Sequence, residues 1–118
     1  MDIVSIVIIA GIILIFILQR RSPKGVKQIT TSQLKLELED SNKQFIDVRS
    51  TEEYRRNHIK KFKNIPLHEV SKKGNGLSKE KEVVVICQSG ARSQQASRIL
   101  KKQGFKQITN VKGGLSSW

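Results

Sequence analysis

One cysteine, Cys87, stands five positions ahead of Arg92, with Gln88, Ser89, Gly90 and Ala91 between them. Ahead of the cysteine runs Val83-Val84-Val85-Ile86, a short apolar stretch with charge on one side and turn residues on the other, which predicts a buried strand. Behind it, Ser93 to Gln103 carries Ala96, Ile99 and Leu100 at helical spacing, with Gly104 where a helix would stop. The sulfur is therefore expected at the carboxyl end of a strand, in a loop that feeds a helix amino terminus. Open α/β sheets bind their ligands at such places. Backbone N–H groups at a helix start lack internal partners and carry positive potential. A tight loop aims further N–H groups at one point, and Gly90 gives the loop its freedom. With the permanent charge of Arg92, these donors favour thiolate over thiol at Cys87, and the thiolate is the nucleophile. A cysteine used only as a small hydrophobe is the plain alternative.

Three more residues qualify by type and place. Asp47 is an acid at the end of the apolar run Phe45-Ile46-Asp47-Val48. It suits either a base or a carboxylate that holds nearby loops by hydrogen bonds. Arg49 follows it, with Glu52 and Glu53 as candidate partners. His58 stands at the expected end of a helix, where histidines commonly serve structure.

Taken in order, these segments resemble the rhodanese (sulfurtransferase) family. Cys87-Gln88-Ser89-Gly90-Ala91-Arg92-Ser93 is similar to its active-site loop. Phe45-Ile46-Asp47-Val48-Arg49 resembles its strand ending in Asp-Val-Arg, and Glu52-Glu53-Tyr54 the helix that follows. His58-Ile59 with Asn64-Ile65-Pro66-Leu67, and Val111-Lys112-Gly113-Gly114-Leu115 through Trp118, resemble two later segments. The likeness covers about residues 26–118. One segment departs from it: Asn57-His58-Ile59-Lys60-Lys61-Phe62 lacks both glycines and the proline of the family's Gly-His-Ile-Pro-Gly-Ala, so that turn is expected to differ in shape. The resemblance implies an α/β fold, a rhodanese-like parallel sheet flanked by helices. It also implies that Asp47 is structural, near the site.

The elements that must position the loop alternate strand with helix. Val26–Ile29 is a predicted first strand, and Thr30 with Gln33 has capping-box spacing for the helix after it. Gln44–Val48 is a second strand. Ser50 with Glu53 is a second capping box, starting a helix that runs to about His58 with Tyr54 packed inward. Phe62, Ile65 and Leu67 supply a third strand that Pro66 ends. His68–Glu82 reads as a short helix, a loop and an approach to the central strand. Lys106–Val111 is the last strand, with Leu115 and Trp118 packing back on the domain. Such alternation favours a parallel sheet with helices on both faces.

The chain has 118 residues and a formal net charge of +12, which suits one domain of modest size. A single cysteine excludes an intrachain disulfide framework and suits a reducing compartment. Cysteine-rich metal sites are excluded with it, and neither metal nor organic cofactor is expected. The basic charge is spread, without an aromatic-basic recognition motif, so no nucleic-acid partner is expected.

The start of the chain is different. Ile3 to Leu18 holds no charge and is apolar all round. Asp2 precedes it and Gln19-Arg20-Arg21 follows, the reverse of a cleaved leader. One N-terminal transmembrane helix is the expectation: an anchor over residues 1–21, a linker over 22–25 and a domain over 26–118. The following Arg20, Arg21, Lys24 and Lys27 would set a single-pass cell-membrane protein with its domain facing the cytoplasm. Lys72, Lys73, Lys79 and Lys81 form either a solvated surface or a patch attracted to anionic lipid.

The expected chemistry is sulfane-sulfur transfer. Cys87 would attack the outer sulfur of thiosulfate or a persulfide, and a small thiol or an acceptor protein would then remove that sulfur. The loop from Gln88 through Ser89, Gly90, Ala91 and Ser93 would hold the anionic sulfur, and Arg92 would orient the donor. One rival is a cysteine phosphatase of related fold, whose loop resembles this one but has five residues between cysteine and arginine. The other is a membrane-tethered binding or sulfur-carrier module without catalysis.

Overall fold

The structure is a computed structural model that describes residues 2–20 and 24–118, apart from the side chains of Gln19 and Arg20. Arg21, Ser22 and Pro23, on which part of the expected anchor and linker falls, lie outside the described residues. Among the described residues five helices and five strands follow one another: α1 (Ile3–Arg20), β1 (Val26–Ile29), α2 (Thr31–Glu37), β2 (Lys43–Asp47), α3 (Thr51–Arg56), β3 (Lys63–Asn64), α4 (Val70–Lys73), β4 (Glu82–Ile86), α5 (Ala91–Lys102) and β5 (Ile108–Val111). Short 3₁₀ turns cover Leu67–Glu69, Gly74–Gly76 and Gly114–Ser117.

The strands form one sheet in the order β1-β5-β4-β2-β3, every pair parallel. The expected parallel α/β sheet is therefore present. Strand β4 lies at its centre and is buried on both faces, so it needs an unbroken apolar run rather than an alternating one. Val83, Val85 and Cys87 point to one face, where they pack with Val70, Ala96, Leu100 and Phe105. Val84 and Ile86 point to the other, with Leu34, Phe45, Ile59 and Phe62. Each face thus has its own core, and the cysteine ends one of them.

Local signals fix the helix starts. Both capping boxes form: Thr30 accepts from the Gln33 amide while the Gln33 side chain accepts from Thr30 N–H, and Ser50 and Glu53 do the same. The third strand is shorter than expected. Only Lys63 and Asn64 pair with β2. Phe62 and Ile65 are buried on either side, and Pro66, which has no N–H to offer a ladder, leads the chain into a 3₁₀ turn. Trp118 stays 44% exposed, its ring beneath Lys35 Nζ at 4.9 Å, instead of packing fully back.

The expected anchor forms helix α1, and Asp2 Oδ1 caps it by accepting from Ser5 N–H at 2.8 Å. Among the described residues, however, no helix is long and apolar enough to cross a membrane. The apolar stretch Ile3–Leu18 spans about 24 Å at 1.5 Å per residue, against a hydrocarbon core of about 30 Å. The last described turn is also engaged with the domain, since Ile15 and Leu18 line a cavity together with Gln95 and Arg98 of α5.

Candidate active site

Cys87 is the first residue beyond β4, and the loop Cys87–Gly90 delivers the chain into α5. Gly90 caps that helix at φ +113°, a conformation that excludes a side chain. The left-handed turn folds the Gly90 amide back over the cysteine, and its N–H donates to Cys87 Sγ at 2.9 Å. Ser93 adds a hydroxyl 3.3 Å from the sulfur. That hydroxyl also donates to Gly90 O at 3.0 Å, while Ser97 donates to Ser93 O at 2.7 Å. A hydroxyl can rotate, so Ser93 accepts from a thiol or donates to an anionic sulfur without moving. Cys87 is fully buried, whereas Gln88, Ser89 and Ala91 are exposed. The loop itself is therefore the cover over the sulfur.

The loop is pinned from three sides. Its carbonyls accept from the C-terminal 3₁₀ turn: Leu115 N–H donates to Cys87 O, and Ser116 N–H to Gln88 O, both at 2.9 Å. From β2 comes a buried pair in which Arg49 Nε and Nη2 contact the Asp47 carboxylate at 2.9 to 3.1 Å. Arg49 also donates to Asn57 O at 2.7 Å and to Gln88 Oε1 at 3.3 Å. Asp47 and Arg49 thus pair with each other, not Arg49 with Glu52 or Glu53 as the spacing suggested. Their geometry joins β2, the end of α3 and the sulfur loop. His58 lies farther out, exposed, with Nδ1 2.8 Å from Tyr54 O and its ring stacked on Tyr54.

Arg92, the permanent charge expected beside the loop, has a carboxylate partner on α3. It makes a bidentate pair with Glu53, Nη1 to Oε1 at 2.6 Å and Nη2 to Oε2 at 2.9 Å. The arginine holds the Glu53 carboxyl at about 2, down from an ordinary value near 4.5, and Glu53 in turn keeps Arg92 charged. A single carboxylate therefore closes the α3 capping box and fixes the guanidinium of the loop. A depressed carboxylate stabilises the fold above its unfolded value and loses that contribution as pH falls through its folded one. Arg92 is 37% exposed, so the pair is screened and worth under about 1 kcal/mol. Glu53→Gln keeps the capping partner, and is expected to lower stability slightly at neutral pH. That deficit should vanish between about pH 4.5 and about pH 2, as checked by denaturant titration of both proteins.

Sequence reasoning also passed over Gly114. A Cβ there would lie 2.1 Å from Cys87 O and 2.8 Å from Gln88 C, at φ +56°. The sequence showed Gly113-Gly114 within a segment resembling the family, but not as the floor beneath the loop. Gly114→Ala is expected to cost about 1–3 kcal/mol through overpacking against backbone. Gly76→Ala, where a Cβ meets open space, should cost much less. Thermal unfolding of the two variants, side by side, checks this.

Known proteins share this fold. The model of the rhodanese-like domain matches residues 30–118. The chain belongs to the rhodanese-like family. A sulfurtransferase of Allochromatium vinosum is 31% identical over 94 residues, covering 79% of this chain and 88% of that one. YrkF of Bacillus subtilis, provisionally named a sulfur carrier protein, is 46% identical over 79 residues, covering 67% of this chain; the chain spans only 43% of its length. Among solved structures, a rhodanese-like domain protein from Staphylococcus aureus superposes with a TM-score of 0.72 at 33% identity, over 79% of this chain and 91% of that one. Within this chain the loop Cys87–Ser93 is held by Arg49 through Gln88, by the Glu53–Arg92 pair and by the close approach of Gly114.

Proposed function

We propose that the chain is a sulfurtransferase that moves sulfane sulfur from thiosulfate or a persulfide donor to a thiol acceptor through a persulfide on Cys87. The observation that carries this reading is the convergence of the Gly90 amide and the Ser93 hydroxyl on one sulfur, at the carboxyl end of the central strand. In the first half-reaction the Cys87 thiolate attacks the outer sulfur of thiosulfate. A new S–S bond forms, the old one breaks, and sulfite leaves with its electron pair. In the second, an acceptor thiolate attacks the outer sulfur of the persulfide and takes it, returning Cys87 as thiolate. Each step is a displacement at sulfur, and the enzyme ends as it began. The Gly90 N–H remains available to the inner sulfur in both states, and the exposed residues Gln88, Ser89 and Ala91 meet the donor. Because the sulfur is covered, the loop must open to admit a donor; the Arg92–Glu53 pair, 37% and 28% exposed, is the outer tie that loosens with it.

The second part of the proposal is attachment to the cell membrane through α1, with the domain on the cytoplasmic side. Ile3 to Leu18 presents isoleucine, leucine and phenylalanine side chains that are 43–79% exposed, a surface that water does not tolerate at this density. The basic residues that follow, Arg20, Arg21, Lys24 and Lys27, support the orientation.

Thiosulfate with a small thiol, assayed for sulfite and for persulfide, tests the transferase reading. Turnover of an aryl phosphate without sulfur transfer would replace it with phosphatase chemistry. Loading of sulfur without turnover would reduce it to a carrier.

A further inference from the structure

Helix α1 has a direction relative to the site. Its Phe16 lines a cavity of about 590 Å³ with Ser89, Gly90 and Ala91 of the sulfur loop and with Lys112. Ile15 and Leu18 lie beside Gln95 and Arg98, in the middle of α5. After the helix, Gly25 meets Lys101 near the end of α5. The last turns of α1 therefore run alongside α5 in the same sense, from the sulfur loop toward the opposite end of the sheet. Going backward along α1 leads the other way. Ile3 to Leu14, about 18 Å long at 1.5 Å per residue, leads toward the carboxyl end of the sheet and past it. The long dimension of the molecule, 57 Å against 30 and 26 Å, fits such a projection.

Apolar side chains fill that projecting segment: Ile3, Val4, Ile6, Val7, Ile8, Ile9, Ile12, Ile13 and Leu14 are each 43% exposed or more. Whatever solvates them lies on the side of the domain that carries Cys87. The cavity that joins α1 to the loop is rimmed by two basic residues, Arg98 and Lys112, on a chain of net charge +12. An anionic lipid surface supplies both an apolar medium for the helix and a charge partner for that rim.

We propose that the carboxyl end of the sheet, with its Cys87 loop, rests on an anionic bilayer, α1 dipping into the lipid and Arg98 and Lys112 facing the headgroups. This rests on the membrane attachment proposed above and adds the face that meets the lipid. It also distinguishes two basic regions. Lys79 and Lys81 precede β4 and sit at the amino end of the sheet, so they face away from the bilayer.

Two labelled forms of the full chain test this. In a Cys87→Ser background, Ser89→Cys places a fluorophore on the sulfur loop and Lys79→Cys places one at the far end of the sheet. The protein is mixed with vesicles of phosphatidylcholine and phosphatidylglycerol that carry a headgroup-attached nitroxide quencher. The expected result is flotation with the vesicles and quenching several-fold stronger at position 89 than at position 79. Vesicles of phosphatidylcholine alone should reduce the quenching at position 89. Flotation with equal quenching at both positions, or none at either, would overturn the proposed face while leaving attachment intact. Quenching at position 89 that ignores lipid charge would overturn the role of Arg98 and Lys112. Failure to float, with the chain instead self-associating through α1, would overturn attachment and the face together.

Discussion

Cys87→Ser is expected to abolish sulfur transfer, lowering turnover by on the order of 10⁴-fold or more, while leaving the fold in place. Oxygen is smaller than sulfur but keeps its hydrogen-bonding roles, and the serine hydroxyl would lie near both present partners of the Cys87 sulfur, the Gly90 amide at 2.9 Å from it and the Ser93 hydroxyl at 3.3 Å. What is lost is the chemistry. An alkoxide is not formed at neutral pH, and oxygen does not displace sulfite from thiosulfate to give a stable carrier. The variant should unfold at nearly the wild-type denaturant concentration and fail only in the sulfite assay. Residual activity within tenfold of wild type would mean that the sulfur of Cys87 is a packing group and that transfer occurs elsewhere.

Asp47→Asn is expected to destabilise the fold by about 3–5 kcal/mol, because removing one partner of a buried ion pair strands the other charge. Asp47 is 0% exposed and Arg49 1% exposed, so water does not replace what is removed. The cost should fall well below the sum of the single changes in Asp47→Asn with Arg49→Met, since the second change removes the stranded cation. Urea titration of the full chain in mild detergent, across the four proteins, measures that coupling. The single variant should also transfer sulfur more slowly. Arg49 reaches Gln88 Oε1 from one side and Asn57 O from the other, so losing its anchor frees the loop as well as the end of α3. Cys87→Ser should therefore spare stability and remove activity, whereas Asp47→Asn should lower both.

Short-range signals carried most of the fold. The two capping boxes, Thr30 with Gln33 and Ser50 with Glu53, are local bonds three residues apart and were readable as such. The run Val83–Ile86 was readable as a buried central strand because no face of it is polar. What escaped was contact between distant segments. Glu53 and Arg92 are 39 positions apart; sequence spacing suggested Glu52 or Glu53 as partners for Arg49, but the sheet brings Asp47 to Arg49 and leaves Glu53 for Arg92. Gly114 approaches Cys87 O only because the chain returns across the end of the sheet. The third strand shrank to Lys63–Asn64 because the chain turns away at Pro66, which has no N–H to offer the ladder, after only two residues have paired with β2. Apolar composition announced α1, but not that its last turns would lie along α5 beside the sulfur loop.

The site now has a consistent physical description. One amide and one hydroxyl converge on a covered sulfur, a buried Asp–Arg pair and a glycine floor hold the loop, and a Glu–Arg pair ties its outer edge. The intact mass of the purified full chain after exposure to thiosulfate tests this most directly. The wild-type chain should gain one sulfur atom and lose it on addition of a small thiol, and Cys87→Ser should gain none. A wild-type mass unchanged by thiosulfate, by alkyl persulfides and by polysulfide would contradict it.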